Sequence, residues 1–126
     1  MTAKWRHFKF SEFTCQCGCG GNDIDAIFVT KLDGLRHALG FPFIITSGYR
    51  CPEHNNKVSN SGFTGAHTTG RAVDIRASNV EAFLIVSRAH EFGFTGIGVN
   101  QKGKSRFIHL DDLNEGRFFR PNIWSY

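Results

Sequence analysis

The chain has 126 residues, 40% of them hydrophobic and 13% aromatic, enough for one domain spanning residues 1–126 with a phenylalanine-rich core. Its apolar runs, such as Phe41 to Ile45, fall far short of the ~20 residues a membrane helix needs, so no membrane insertion is expected. The net charge of +4 suits an anionic partner, but the basic residues are scattered and not interleaved with aromatics, and no nucleic-acid partner is expected.

The segment Met1 to His7 is basic with no apolar stretch behind it, so it does not read as a secretory signal peptide. Synthesis in the cytoplasm is expected, with any extracellular target reached by another route such as lysis. Cys15, Cys17 and Cys19 then alternate through a glycine-rich loop. Asn22 or Asp23 is positioned to cap a helix running to about Leu39, with Ile24, Ile27, Phe28, Leu32, Leu35 and Leu39 at helical spacing. Gly40 stops it and Pro42 prevents its return.

Phe43 to Thr46 reads as a buried strand ending in the loop Ser47 to Arg50, and Pro52 opens a short helix to about Val58. Residues 59–70 are rich in Ser, Thr, Asn and Gly, hence a loop. Arg71 to Arg76 alternates as a strand, with Val73 and Ile75 on one face and Ala72 and Asp74 on the other. Asn79 caps a second helix, Val80 to about Phe92, ended by Gly93. Two further strands, Phe94 to Val99 and Arg106 to Leu110, flank the turn Asn100 to Lys104. The aromatic tail from Gly116 to Tyr126 is expected to pack back on the domain. This order predicts an α+β fold with a small, largely antiparallel sheet flanked by helices. A monomer is expected.

His67 stands in a Gly- and Thr-rich loop, Asp74 in the strand that loop enters, and His109 in a separate strand. Two histidines and an aspartate form the donor set of a catalytic zinc site, in which three protein ligands leave a fourth position open for water. Alternation in Phe107 to Asp111 puts His109 and Asp111 on one face, with Ile108 and Leu110 on the other. The opposite phase would bury a histidine and an aspartate in the core at a cost of several kcal/mol. Taken singly, each residue also reads as structural, with Asp74 paired to Arg71 or Arg76. His7, His37 and His90 read as structural or solvated, and Asp112 as pointing away from the site.

The segment Gly65-Ala66-His67-Thr68-Thr69-Gly70-Arg71-Ala72-Val73-Asp74 resembles the signature of the zinc D-alanyl-D-alanine carboxypeptidase and L-alanyl-D-glutamate endopeptidase family, whose fold is shared with hedgehog signalling domains. Gly65 stands where that family usually has serine. Thr46-Ser47-Gly48-Tyr49-Arg50 resembles its Ser-Gly-Tyr-Arg segment, and Phe107-Ile108-His109-Leu110-Asp111 its final ligand strand. The opening Phe8 to Gly20 and the closing Arg120 to Tyr126 are similar to small phage members.

The resemblance implies that His67, Asp74 and His109 bind one zinc, and that Arg50 holds a substrate carboxylate or the developing oxyanion. It implies a peptidase acting on peptidoglycan stem peptides, in the manner of a phage lysis enzyme or its bacterial cousin. Many relatives carry an acid three residues before the last histidine, where this chain has Arg106, which cannot act as a base. Asp111 is either the substitute base or the group that orients His109 through its other ring nitrogen. Glu53 and His54 are outside candidates, and Tyr49, Phe63 and Trp124 are candidate cleft aromatics. The alternative function is a zinc-bearing, non-catalytic wall-binding module or a phage structural protein.

Cys15, Cys17, Cys19 and Cys51 leave three states open. They are a structural zinc site, against which the Cys-x-Cys-x-Cys spacing argues; a disulfide to Cys51; or free, partly buried thiols, which cytoplasmic synthesis favours.

Overall fold

The computed structural model of the chain describes residues 5–126. The first helix, α1 (Ala26–Leu39), begins a few residues later than the expected cap at Asn22 or Asp23. Asp25 takes that role, its carboxylate accepting from the Phe28 amide at 2.9 Å. Asn22 is committed elsewhere, donating to the Phe10 carbonyl and the Thr14 hydroxyl. Phe28, Val29, Leu32 and Leu35, the buried stripe of α1, are fully enclosed.

Strand β1 (Ile44–Ser47), helix α2 (Pro52–Val58), strand β2 (Ala72–Arg76) and helix α3 (Asn79–Arg88) follow, then strands β3 (Gly96–Asn100), β4 (Phe107–Asp111) and β5 (Asn122–Ser125). The sheet has the order β1-β2-β4-β3-β5. Three pairings are antiparallel and the β3–β5 pairing is parallel, so the fold is α+β with a mixed, mostly antiparallel sheet. The expected helix to Phe92 divides: α3 ends at Arg88 and a 3-10 turn, Ala89–Phe92, completes it. That tighter turn sets the Phe92 ring against Gly34 of α1. The tail does more than pack back, since part of it becomes an edge strand.

The two faces of the sheet have opposite character. Val73, Ile75, Ile108 and Leu110 join α1 and α3 in the core, where Phe28 meets Phe94 edge-on at 5.6 Å. Replacing a ring so enclosed as Phe28 with alanine would cost about 3–5 kcal/mol. The other face carries polar residues in register: Asp74 on β2 faces His109 on β4, His109 faces Gly98 on β3, and Gly98 faces Trp124 on β5. One row across four strands therefore delivers Asp74, His109 and Trp124 to the same place. A Cβ at Gly98 would lie 2.7 Å from the Trp124 indole nitrogen, so glycine is what lets the indole lie across the row. Among the described residues no helix is long and apolar enough to cross a membrane.

Candidate metal centre

His67 sits on a 3-10 turn, Ala66–Thr69, at the end of the expected loop, with its side chain buried. Its Nδ1 lies 2.8 Å from the Gly48 carbonyl oxygen, which can only accept, so Nδ1 carries the proton. The Nε2 lone pair then faces Asp74 Oδ1 at 3.2 Å. His109 is held the other way round: its Nε2 donates to Asp111 Oδ2 at 2.7 Å, and its Nδ1 faces Asp74 Oδ1 at 3.1 Å. Burial drives the His67 pKa down and favours the neutral ring. Burial also disfavours the charged form of His109, but bonds to Asp111 and Asp74 outweigh it and raise that pKa.

Three acceptors thus converge, two ring lone pairs and a carboxylate oxygen, with their outer donors already committed. Such an arrangement is repulsive unless a proton or cation sits between them. One ligand atom from each residue lies within 4.8 Å of the others. Ligands about 2.0–2.1 Å from a tetrahedral zinc stand roughly 3.3 Å apart, so the chemistry and spacing of this donor set fit the ion. Asp74 is kept well below the usual carboxylate range: burial works against its charge, and the adjoining histidines more than compensate.

Arg50 meets this group from the loop after β1. Its Nε donates to Ser47 Oγ at 3.0 Å, Nη1 to Asn55 Oδ1 at 3.2 Å and Nη2 to Asp74 Oδ2 at 3.4 Å. Asp74 therefore pairs with Arg50 and not with Arg71 or Arg76, and Arg71 instead binds Asp112. Asn55 is buried in α2, its amide bonded to Ser61 Oγ and the Gly62 carbonyl. It anchors the loop before His67 as well as the Arg50 fork.

Asp111 has no exposed surface. Arg120 grips it bidentately, and its Oδ2 also accepts from His109. Burial pushes its pKa up, but His109 and Arg120 bring it down to about 2. The open side of the centre is a cleft of about 560 Å³, walled by His67, Asp74, His109, Arg50, the loop near Ser59–Ser61, and Phe118, Trp124 and Tyr126. Trp124 packs on His109 with ring centroids 5.2 Å apart.

Of the residues singled out in the sequence, His67, Asp74, His109 and Arg50 come together at this cleft, with Asp111 directly behind His109. Asp112 points away, as expected, to Lys31 and Arg71. Arg106 bonds the Gly103 carbonyl and lines other surface hollows. Glu53 and His54 do not line the cleft, nor do Tyr49, which is buried, and Phe63, which is exposed outside it. His7 stacks on His37 away from the site. Asn55, Ser47 and Arg120 escape a reading of the sequence, because each acts through another side chain. The alternating aromatic tail around Trp124 was the available signal for a last strand.

Residues 6–111 match the family model described as Peptidase M15. No curated protein matches the chain.

Proposed function

The chain belongs to the Peptidase M15 family, and from that premise we propose that it is a zinc-dependent peptidase hydrolysing D-amino-acid-containing bonds in peptidoglycan stem peptides, serving phage-driven lysis of a bacterial wall. The observation that carries this reading is the convergence of His67 Nε2, Asp74 Oδ1 and His109 Nδ1 at the floor of an open cleft. Zinc held there would act as a Lewis acid and activate water for attack on an amide.

The remaining work falls to the chain's own groups. The Gly48 carbonyl and the Asp111 carboxylate hold the two imidazoles in the tautomers that leave an inward lone pair. Arg50 spends three of its five N–H groups on Ser47, Asn55 and Asp74, which keeps two for a stem-peptide carboxylate or a developing oxyanion. Because those three bonds fix the fork beforehand, little of its rotamer freedom remains to be lost when substrate arrives. The aromatic wall of Phe118 and Trp124 and the polar loop at Ser59–Ser61 bound a channel suited to an extended peptide with polar groups on one side. The protein would reach that substrate after release from the cytoplasm of the infected cell.

For Asp111 the contacts support the orienting role over the proton-accepting one. Both its oxygens are engaged by Arg120, and His109 lines the cleft where Asp111 does not. This favours a second reading, a zinc-bearing wall-binding module without turnover, since Asp74 is the sole Asp or Glu lining the cleft among the described residues. Mass spectrometry of the peptides released from purified peptidoglycan, with and without a chelator, separates the two. A chelator-sensitive new amine or lost D-alanine is the expected result, and the fragment masses name the bond. Wall binding with no release by zinc-loaded protein would establish the module instead.

A further inference from the structure

 None of the four cysteines lines the cleft, and they gather among themselves: one ligand atom from each of Cys15, Cys17, Cys19 and Cys51 lies within 4.8 Å of the others. We propose that Cys15, Cys17, Cys19 and Cys51 bind a second zinc ion, a closed structural site that braces the loop carrying Gly48 and Arg50.

The geometry argues for a metal over a disulfide. Cys17 Sγ lies 3.5 Å from Cys15 Sγ and 3.5 Å from Cys51 Sγ, and all four thiols are free. A disulfide holds its sulfurs at about 2.05 Å. Thiolates about 2.3 Å from a tetrahedral zinc stand roughly 3.8 Å apart, close to the spacing seen. The objection from the sequence was the Cys-x-Cys-x-Cys spacing. It is met by Gly18 and Gly20, both with left-handed φ, at 91° and 78°, which turn the chain sharply enough for alternate sulfurs to face one point.

A second observation is independent of those distances. Backbone amides aim at the sulfurs: Gly21 N at Cys19, Cys51 N at Cys15 and His54 N at Cys51, each within 3.3–3.4 Å. Amides donating to ligand sulfurs are the outer partners a thiolate metal site requires. Four protein ligands leave no open position, in contrast to the His67–Asp74–His109 centre. Loading would release the thiol protons as the thiolates bind the ion.

The consequence is mechanical. Cys51 follows Arg50 directly, and Tyr49 N donates to the Phe13 carbonyl two residues before Cys15. An ion joining residues 15–19 to Cys51 therefore clamps both ends of the strip that carries Arg50 and the carbonyl beneath His67.

The test uses the reduced, full-length chain. Native mass spectrometry should find two zinc ions in the wild type and one in the His67→Ala, His109→Ala double variant. Cobalt substituted into that double variant should give a thiolate-to-cobalt charge-transfer band, and Cys17→Ser or Cys19→Ser should weaken it and accelerate thiol modification of the remaining cysteines. A wild-type chain that holds one zinc, gives no thiolate band with cobalt and has four freely reactive thiols would overturn the second site. So would a chain that, as purified and before any reductant is added, is lighter by two hydrogens for each disulfide. Either result leaves the histidine centre to be judged by its own zinc.

Discussion

Arg120 grips Asp111 through two bonds, Nε to Oδ1 at 2.8 Å and Nη2 to Oδ2 at 2.7 Å, and Asp111 in turn holds His109. The Arg120 side chain is 8% exposed and that of Asp111 is fully buried. The tail beyond the family match thus reaches the metal centre through a chain of two hydrogen-bonded contacts. Arg120→Ala would strand a buried carboxylate, at a cost of about 3–5 kcal/mol. Urea denaturation should show that loss, and a competition titration should show zinc binding weakened by about 10–100-fold. Unchanged zinc affinity would mean that Asp111 keeps His109 in place without Arg120.

Asp111→Asn separates orientation from proton transfer. The amide oxygen still accepts from His109, but the pull on the ring is weaker and the amide NH2 meets the Arg120 Nε donor in place of Oδ1, so zinc affinity should fall by about 10–100-fold. Activity should return substantially at saturating zinc. Persistent loss in fully loaded protein would instead make Asp111 the group that takes the proton.

Arg50→Lys keeps the charge and loses the fork that joins Ser47, Asn55 and Asp74. Turnover of peptidoglycan peptides should drop by about 10²-fold or more, with zinc stoichiometry unchanged by native mass spectrometry. Wild-type turnover in this variant would remove Arg50 from the substrate's reach.

Asp112 supplies the contrast, one residue past the end of β4 at Asp111. It faces the other way and joins Lys31 at 2.9 Å with Arg71 at 2.8 Å. Asp112→Asn should cost about 1–3 kcal/mol of stability, because both cations lose a charged acceptor. Zinc affinity should stay at the wild-type level, which an isothermal titration would check.

Gly98→Ala tests the close approach of the tail. The added methyl would meet Trp124 Nε1 at 2.7 Å and Cε2 at 2.9 Å, so β5 or the indole must shift. A loss of about 1–3 kcal/mol is expected from overpacking, together with greater quenching of Trp124 fluorescence by a soluble quencher. No change in either would show that the indole relocates freely.

Much of this architecture is legible along the chain because it rests on local rules. The alternation of Phe107 to Asp111 states that His109 and Asp111 share a face, and they do, 2.7 Å apart. The apolar spacing of α1 marks Phe28, Leu32 and Leu35 for the core, and all three are enclosed. Its start was misplaced because Asn22, Asp23 and Asp25 are all competent caps. The choice among them depends on the Phe10 and Thr14 oxygens that engage Asn22.

What the sequence by itself marked was a trio of candidate ligands, His67, Asp74 and His109, through residue type, the faces of the strands that bear Asp74 and His109, and the resemblance of the His67 segment to a peptidase signature. The tertiary structure alone decided which groups serve those donors. Arg120 reaches Asp111 because β5 pairs parallel with β3, and Asn55 reaches Arg50 because α2 folds against the loop before His67. The cysteine spacing argued against a metal site, yet two glycine turns and the return of Cys51 bring four sulfurs together. These contacts join segments distant in the chain, and no local periodicity encodes them; they exist only once burial of the core has set strand order and register.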